Sequence, residues 1–292
     1  MLRLLTFAGC TINNPLGQLV RERRAAGLFR ALGFARTPYS LSPGGGHQLL
    51  SLIQGTNPIP EYVWPYCYIG KPHCPDEKQR AVLLNLDAVL VEFGTLTEYV
   101  FDNIVLNANR VNGDLHEKIS KVKAIDRKCI AGWRDGLVKI NDDLRAAAVR
   151  EILEHYPAES DEDRIDREII SGVRTVAVAA HAVEDCILAI RSAFKDLPLG
   201  LSMFHYRYMS RARPVDWPPE LNIQVRGIAQ RLGLAIYDSA SLVSTYGNEI
   251  ALAEDCRHWK DEFLTIAGDS IFQFGEKLRS GDIDGANAAT AA

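Results

Sequence analysis

The sequence predicts a three-layer α/β/α fold on a mostly parallel sheet of about five strands, with a helical insertion. Three observations carry this expectation. Apolar runs of strand length alternate with amphipathic stretches of helix length along the chain. The clearest run is hydrophobic almost throughout, as strands covered on both faces are. Chemistry-bearing residues cluster just after the first run and around the start of the last helix, and a doubly wound sheet opens its crevice at such strand ends.

Taken in order, Leu2 to Phe7 reads as the first strand, and Gly9-Cys10-Thr11 as a tight turn. Asn14-Pro15 then combines an N-cap residue with proline at the first helical position. Leu16, Leu19, Val20, Leu28, Phe29 and Leu32 recur at helical spacing until Gly33. From Thr37 to Asp76 the chain is rich in Pro, Gly and aromatic residues, with one short helix expected over His47 to Gln54. Irregular stretches of that length tend to be functional.

Ala88 to Phe93 is the clearest internal strand, ending at Gly94-Thr95. Residues 113 to 195 read as helical, with amphipathic helices over Asp114 to Ile125 and Asn141 to His155. Glu159 to Asp163 is an acidic, solvated helix start, and Val173 to Phe194 reads as a nearly continuous apolar helix. Leu199 to Tyr206 and Leu234 to Tyr237 are strands flanking a helix over Pro219 to Leu232 that Gly233 closes. Asp255 to Lys277 reads as the final helix. A single domain over residues 1–292 is expected, with an insertion at about 100–175 that serves as a lid or oligomer contact, and a frayed tail over 285–292.

Composition narrows the function classes. A hydrophobic content of 47% and a charged content of 24% are ordinary for a soluble globular protein. A net charge of -4 gives no footprint for nucleic acid. The first apolar run is too short for a secretion signal, and no run is long enough to cross a bilayer, so no membrane partner is expected. Six cysteines without regular spacing point to reduced thiols and a cytoplasmic setting. Cys67 and Cys74, near His47 and His73, lack the spacing of a zinc knuckle, so no metal site is expected.

Cys10 follows a glycine near a helix N-terminus, where backbone dipoles favour thiolate. His258 can accept its proton, and Asp255 can hold the imidazole in the required tautomer. A second reading makes Cys10 a small buried residue at a strand end and Asp255 a helix cap. Thr11 is the alternative nucleophile, or a capping hydroxyl. Arg207, Arg211 and Arg213 form either an anion-binding group or a solvated basic loop.

This order of parts resembles the SGNH (GDSL-type) hydrolase superfamily, whose sheet is flavodoxin-like. Asp255-Cys256-Arg257-His258 matches the family's Asp-x-x-His block in spacing and position, and Trp259 to Phe272 is similar to its terminal helix. Gly9-Cys10-Thr11 stands where the family carries Gly-Asp-Ser, and Gly44-Gly45-Gly46 can stand for the second block. Gly94-Thr95-Leu96-Thr97 stands where Gly-x-Asn-Asp belongs, with Leu96 in place of the asparagine. The resemblance implies acyl-ester or acyl-thioester chemistry through a covalent Cys10 intermediate, with Asp255 and His258 completing the machinery. It also implies oxyanion or substrate contacts at Gly9, Thr11, Gly45, Gly94, Asn103 and His205. No resident cofactor is implied, although acyl-CoA or another acyl thioester fits as donor, with a small-molecule or carbohydrate acyl substrate. A cysteine in this block also resembles bacterial polysaccharide-biosynthesis proteins of the same fold that bind coenzyme A. The alternative is therefore a non-catalytic or accessory binding protein with a degenerate site.

Overall fold

The structure, a computed structural model, describes residues 1–68, 70–203, 219–254 and 258–282. The N-terminal half begins with β1 (Leu4–Phe7), α1 (Cys10–Arg21), α2 (Leu28–Ala31) and α3 (Pro43–Ile53). It continues through α4 (Trp64–Cys67), α5 (Glu77–Arg80), β2 (Ala88–Phe93), β3 (Thr97–Phe101) and β4 (Ile104–Leu106). Four helices follow: α6 (His116–Lys121), α7 (Arg127–Val138), α8 (Asp142–His155) and α9 (Asp161–Gly172). Then come β5 (Arg174–Ala177), α10 (Ala180–Ala193), β6 (Leu199–Met203), α11 (Pro219–Leu232) and β7 (Ala235–Asp238). The last helices are α12 (Ser239–Tyr246), α13 (Asn248–Ala251) and α14 (Leu264–Ser280).

The chain forms two compact units. The first comprises residues 1–56, 73–96 and 179–292, and the second residues 57–72 and 97–178. The second unit therefore contains the stretch read as an insertion and adds residues 57–72 to it.

The first unit is built on a parallel sheet in the order β1-β2-β6-β7. Four strands take the place of the expected five among the described residues. Leu4 pairs with Ala88, Leu90 with Gly200, and Gly200 with Ala235, so these residues share one face. On that face Leu4, Leu90, Ala235 and Tyr237 pack against Ile12 of α1 and Ile271, Phe274 and Leu278 of α14. Burying each of these large side chains contributes about 1.5–3 kcal/mol. The opposite face carries Phe7, whose ring meets Phe194 just past α10, and Phe93, near which α3 and α10 approach closely at Gly46 and Cys186. Helices thus cover both faces, and the three-layer α/β/α arrangement is as expected.

The second unit contains an antiparallel sheet in the order β4-β3-β5, flanked by α6 to α9. Asp102 and Asn103 both have positive φ, the two-residue turn that matches strand twist in a hairpin. The sequence reading assigned Val173 to Phe194 to one helix. Instead Arg174–Ala177 is a strand paired with β3, and α10 begins only at Ala180. β-Branched Val173, Thr175, Val176 and Val178 favour the extended form.

Three further boundaries differ from expectation for identifiable reasons. The helix predicted to start at Asn14-Pro15 begins at Cys10 and contains Pro15. Proline cannot donate to the Thr11 carbonyl four residues back; the Trp259 indole N–H does so instead, at 2.8 Å. The helix predicted from His47 starts at Pro43, because Ser42 caps it and proline fits the first turn. The triple glycine is therefore helical rather than a loop. The final helix starts at Leu264, since Trp259 pairs with Leu252 in an isolated bridge that keeps the chain extended. No helix among the described residues is long and apolar enough to cross a membrane.

Candidate functional site

At the C-terminal end of β1 the chain passes through Gly9, an extended N-cap with no side-chain cap bond, directly into α1. Cys10 is the first helical residue and is half-buried. What holds this turn is a carboxylate from the neighbouring strand. Glu92 of β2 accepts the Gly9 N–H at 3.0 Å and the Thr11 hydroxyl, and Ser202 of β6 donates to it at 3.3 Å. Two of its donors thus flank Cys10 in sequence. Asn13 adds a second clamp, accepting from the Thr6 hydroxyl at 2.7 Å and donating to the Ala8 carbonyl at 2.8 Å.

Glu92 is 0% exposed in a strand that is otherwise wholly apolar. Burial pushes its carboxyl up to about 7, against the hydrogen bonds from Thr11, Gly9 and Ser202, which lower it. Its negative form lies against the N-terminal end of α1, where the helix dipole favours an anion. Tyr39 donates to Asn14 at 3.0 Å. Its hydroxyl is held above the usual phenol range, first by burial and then by the proximity of Cys10.

The sequence-predicted residues fall into three groups. Gly9, Cys10 and Thr11 lie together on this turn, with Thr11 1% exposed and its hydroxyl directed at Glu92. His258 lies in a bend before α14 rather than on its first turn; its carbonyl accepts from Ala253 at 2.8 Å. The adjacent Trp259 fastens that bend to Thr11. The Gly45 N–H is directed at the Ser42 hydroxyl at 3.3 Å, and the Gly94 and Thr95 N–H groups at the Leu41 carbonyl at 2.8 and 3.2 Å. Asn103 belongs to the hairpin turn of the second unit. Asp255, His205, Arg207, Arg211, Arg213 and the 285–292 tail lie outside the described residues. Among the described residues no group of three or more His, Cys, Asp or Glu side chains is placed to hold a metal.

Sequence reasoning passed over two buried carboxylates. Glu92 is one of them, and a single acid in an otherwise apolar strand is a legible signal. Asp166 of α9 is the other, at 1% exposed. It accepts from the Tyr66 hydroxyl, from Tyr156 at 2.7 Å and from Lys118 Nζ at 2.9 and 3.1 Å. Burial pushes it up to about 6.

Fold and turn together define a doubly wound α/β protein with a thiol at the helix N-terminus beside its first parallel strand. The chain belongs to the family of TviD N-terminal domains, which matches residues 2–274. No curated protein and no solved structure matches it.

Proposed function

We propose that this protein is an acyltransferase of polysaccharide biosynthesis that carries its acyl group as a thioester on Cys10. The family assignment ties the chain to Vi antigen, and so polysaccharide, biosynthesis. The single observation that carries the chemistry is the position of Cys10: first residue of a twelve-residue helix, directly after the first parallel strand, with its neighbours on both sides anchored to Glu92. Helix geometry leaves the N–H groups of such a turn without intrahelical acceptors, so they suit an anion. Thr11 is the weaker nucleophile, because its hydroxyl is buried against Glu92.

In the reaction, the Cys10 thiol loses its proton to His258, and the sulfur attacks the carbonyl carbon of an acyl thioester such as acyl-CoA. The first-turn N–H groups of α1 hold the oxyanion, a contribution of about 3 kcal/mol per donor in acyl transfer. The bond to the donor sulfur breaks, and His258 returns the proton to that leaving thiolate. An acceptor hydroxyl then gives its proton to His258 and attacks the Cys10 thioester, forming an ester and releasing the thiolate, which regains the proton. Asp255 orients His258 in this scheme, as the resemblance to SGNH enzymes implies.

The test is intact-protein mass spectrometry after incubation with a panel of acyl thioesters, comparing wild type with Cys10→Ala. An acyl adduct on wild type that is absent from the variant is the expected result. No adduct with any donor, together with no turnover of p-nitrophenyl esters, would overturn the reading in favour of a binding protein. Turnover surviving Cys10→Ala but lost in Thr11→Ala would move the nucleophile by one residue.

A further inference from the structure

The second unit contains a cavity of about 500 Å³ that plays no part in the chemistry proposed for Cys10. Its apolar lining comes from Tyr66 and Tyr68 around α4, Leu115 and the exposed ring of Tyr62. One wall is made of two ion pairs, Arg110 with Asp114 and Lys118 with Glu162. Lys118 also reaches Asp166 at 2.9 Å, and Asp166 accepts from Tyr66, so this wall is tied to the aromatic floor.

These groups select a ligand by chemistry. Phosphate recognition needs cations or backbone N–H groups not already committed to acids. Here both cations are paired with carboxylates, and Arg110 and Lys118 are outnumbered by Asp114, Glu162 and Asp166. A hydrocarbon ligand would match the apolar lining but leave the two ion pairs desolvated without any hydrogen bond in return. A pyranose ring satisfies both surfaces. Its axial C–H face stacks on an aromatic ring, and its vicinal hydroxyls both donate and accept, matching a wall of alternating carboxylates and cations. A volume near 500 Å³ is in the range for small-molecule sites and suits one or two such rings.

We propose that this cavity is a saccharide-binding site that holds pyranose units, with the Tyr62 ring as stacking platform. It rests on the geometry of the second unit alone and not on the thioester reading. A carrier of this kind would grip a glycan independently of any reaction on it.

The experiment is isothermal titration of the full chain with an uncharged N-acetylhexosamine tetrasaccharide and with a hexuronate tetrasaccharide. The hexuronate, whose carboxylates meet the cavity's excess of acids, should bind weakly or not at all, and saturable binding of the uncharged saccharide is expected. Tyr62→Ala, at a side chain 40% exposed, weakens it by about tenfold or more, and Glu162→Gln weakens it as well. Cys10→Ala leaves it unchanged while abolishing the acyl adduct, which separates the two proposals. No saturable heat with the uncharged saccharide overturns the inference. So does binding that survives unaltered in both variants when thermal melts show them folded.

Discussion

Replacing Glu92 with glutamine removes a buried carboxyl from the sheet face that meets α1, while keeping an acceptor for Gly9 and a polar partner for Thr11. Glu92 rises from the ordinary 4.5 to about 7 on folding because burial penalises its charge. A carboxyl raised in the folded state stabilises the protein below its unfolded value, and loses that contribution as pH climbs through the folded value. That rise is worth about 3 kcal/mol. Wild type should therefore lose about 3 kcal/mol relative to Glu92→Gln between pH 4.5 and pH 8, nearly all of it below pH 7.5. Urea unfolding followed by circular dichroism at each pH gives both curves, and their difference cancels every other titrating group. Parallel curves for the two proteins would refute the reasoning, since Glu92 would then titrate alike in the folded and unfolded chains.

Three further outcomes follow from the packing. Trp259→Phe strands the Thr11 carbonyl and should cost about 1–2 kcal/mol; adding Pro15→Ala restores an N–H to that carbonyl and should recover part of the loss in a double-mutant cycle. Asp166→Ala leaves the Tyr66 and Tyr156 hydroxyls without their acceptor and should destabilise the second unit by about 2–4 kcal/mol, read by hydrogen exchange in α9. At Gly136→Ala the new methyl would lie 2.8 Å from the Arg145 backbone nitrogen; the α7–α8 contact must open, and thermal melts should show a loss of about 1–3 kcal/mol.

The central sheet was legible because its strands are apolar nearly from end to end, and such runs admit few other readings. Even so, the α1 boundary failed where distant groups overrode a local signal. Asn14-Pro15 is a strong helix start taken alone, yet Glu92 and Trp259 support the turn four residues earlier. The second unit's sheet escaped detection because β5 is largely exposed and β3 mostly half-buried, so their side chains carry no continuous buried stripe. Of the candidate site, the Cys10 turn was visible as a cysteine that follows a glycine at the end of a strand. Asp166 was not, because an acidic helix start full of aspartates does not show which one faces inward.

The interleaving of the two units sets an order on how the protein can be made. After β2 is synthesised, the chain must add 105 residues before β6 begins, and it completes the whole second unit on the way. At about 5–20 residues per second, that interval lasts about 5–20 s. Throughout it, β2 presents an apolar edge whose partner strand does not yet exist, the feature most prone to pairing with a neighbouring nascent chain. Yield of this protein should therefore depend on translation speed and holding chaperones more than its folded stability would suggest, and slow codons placed between β2 and β6 should lower it.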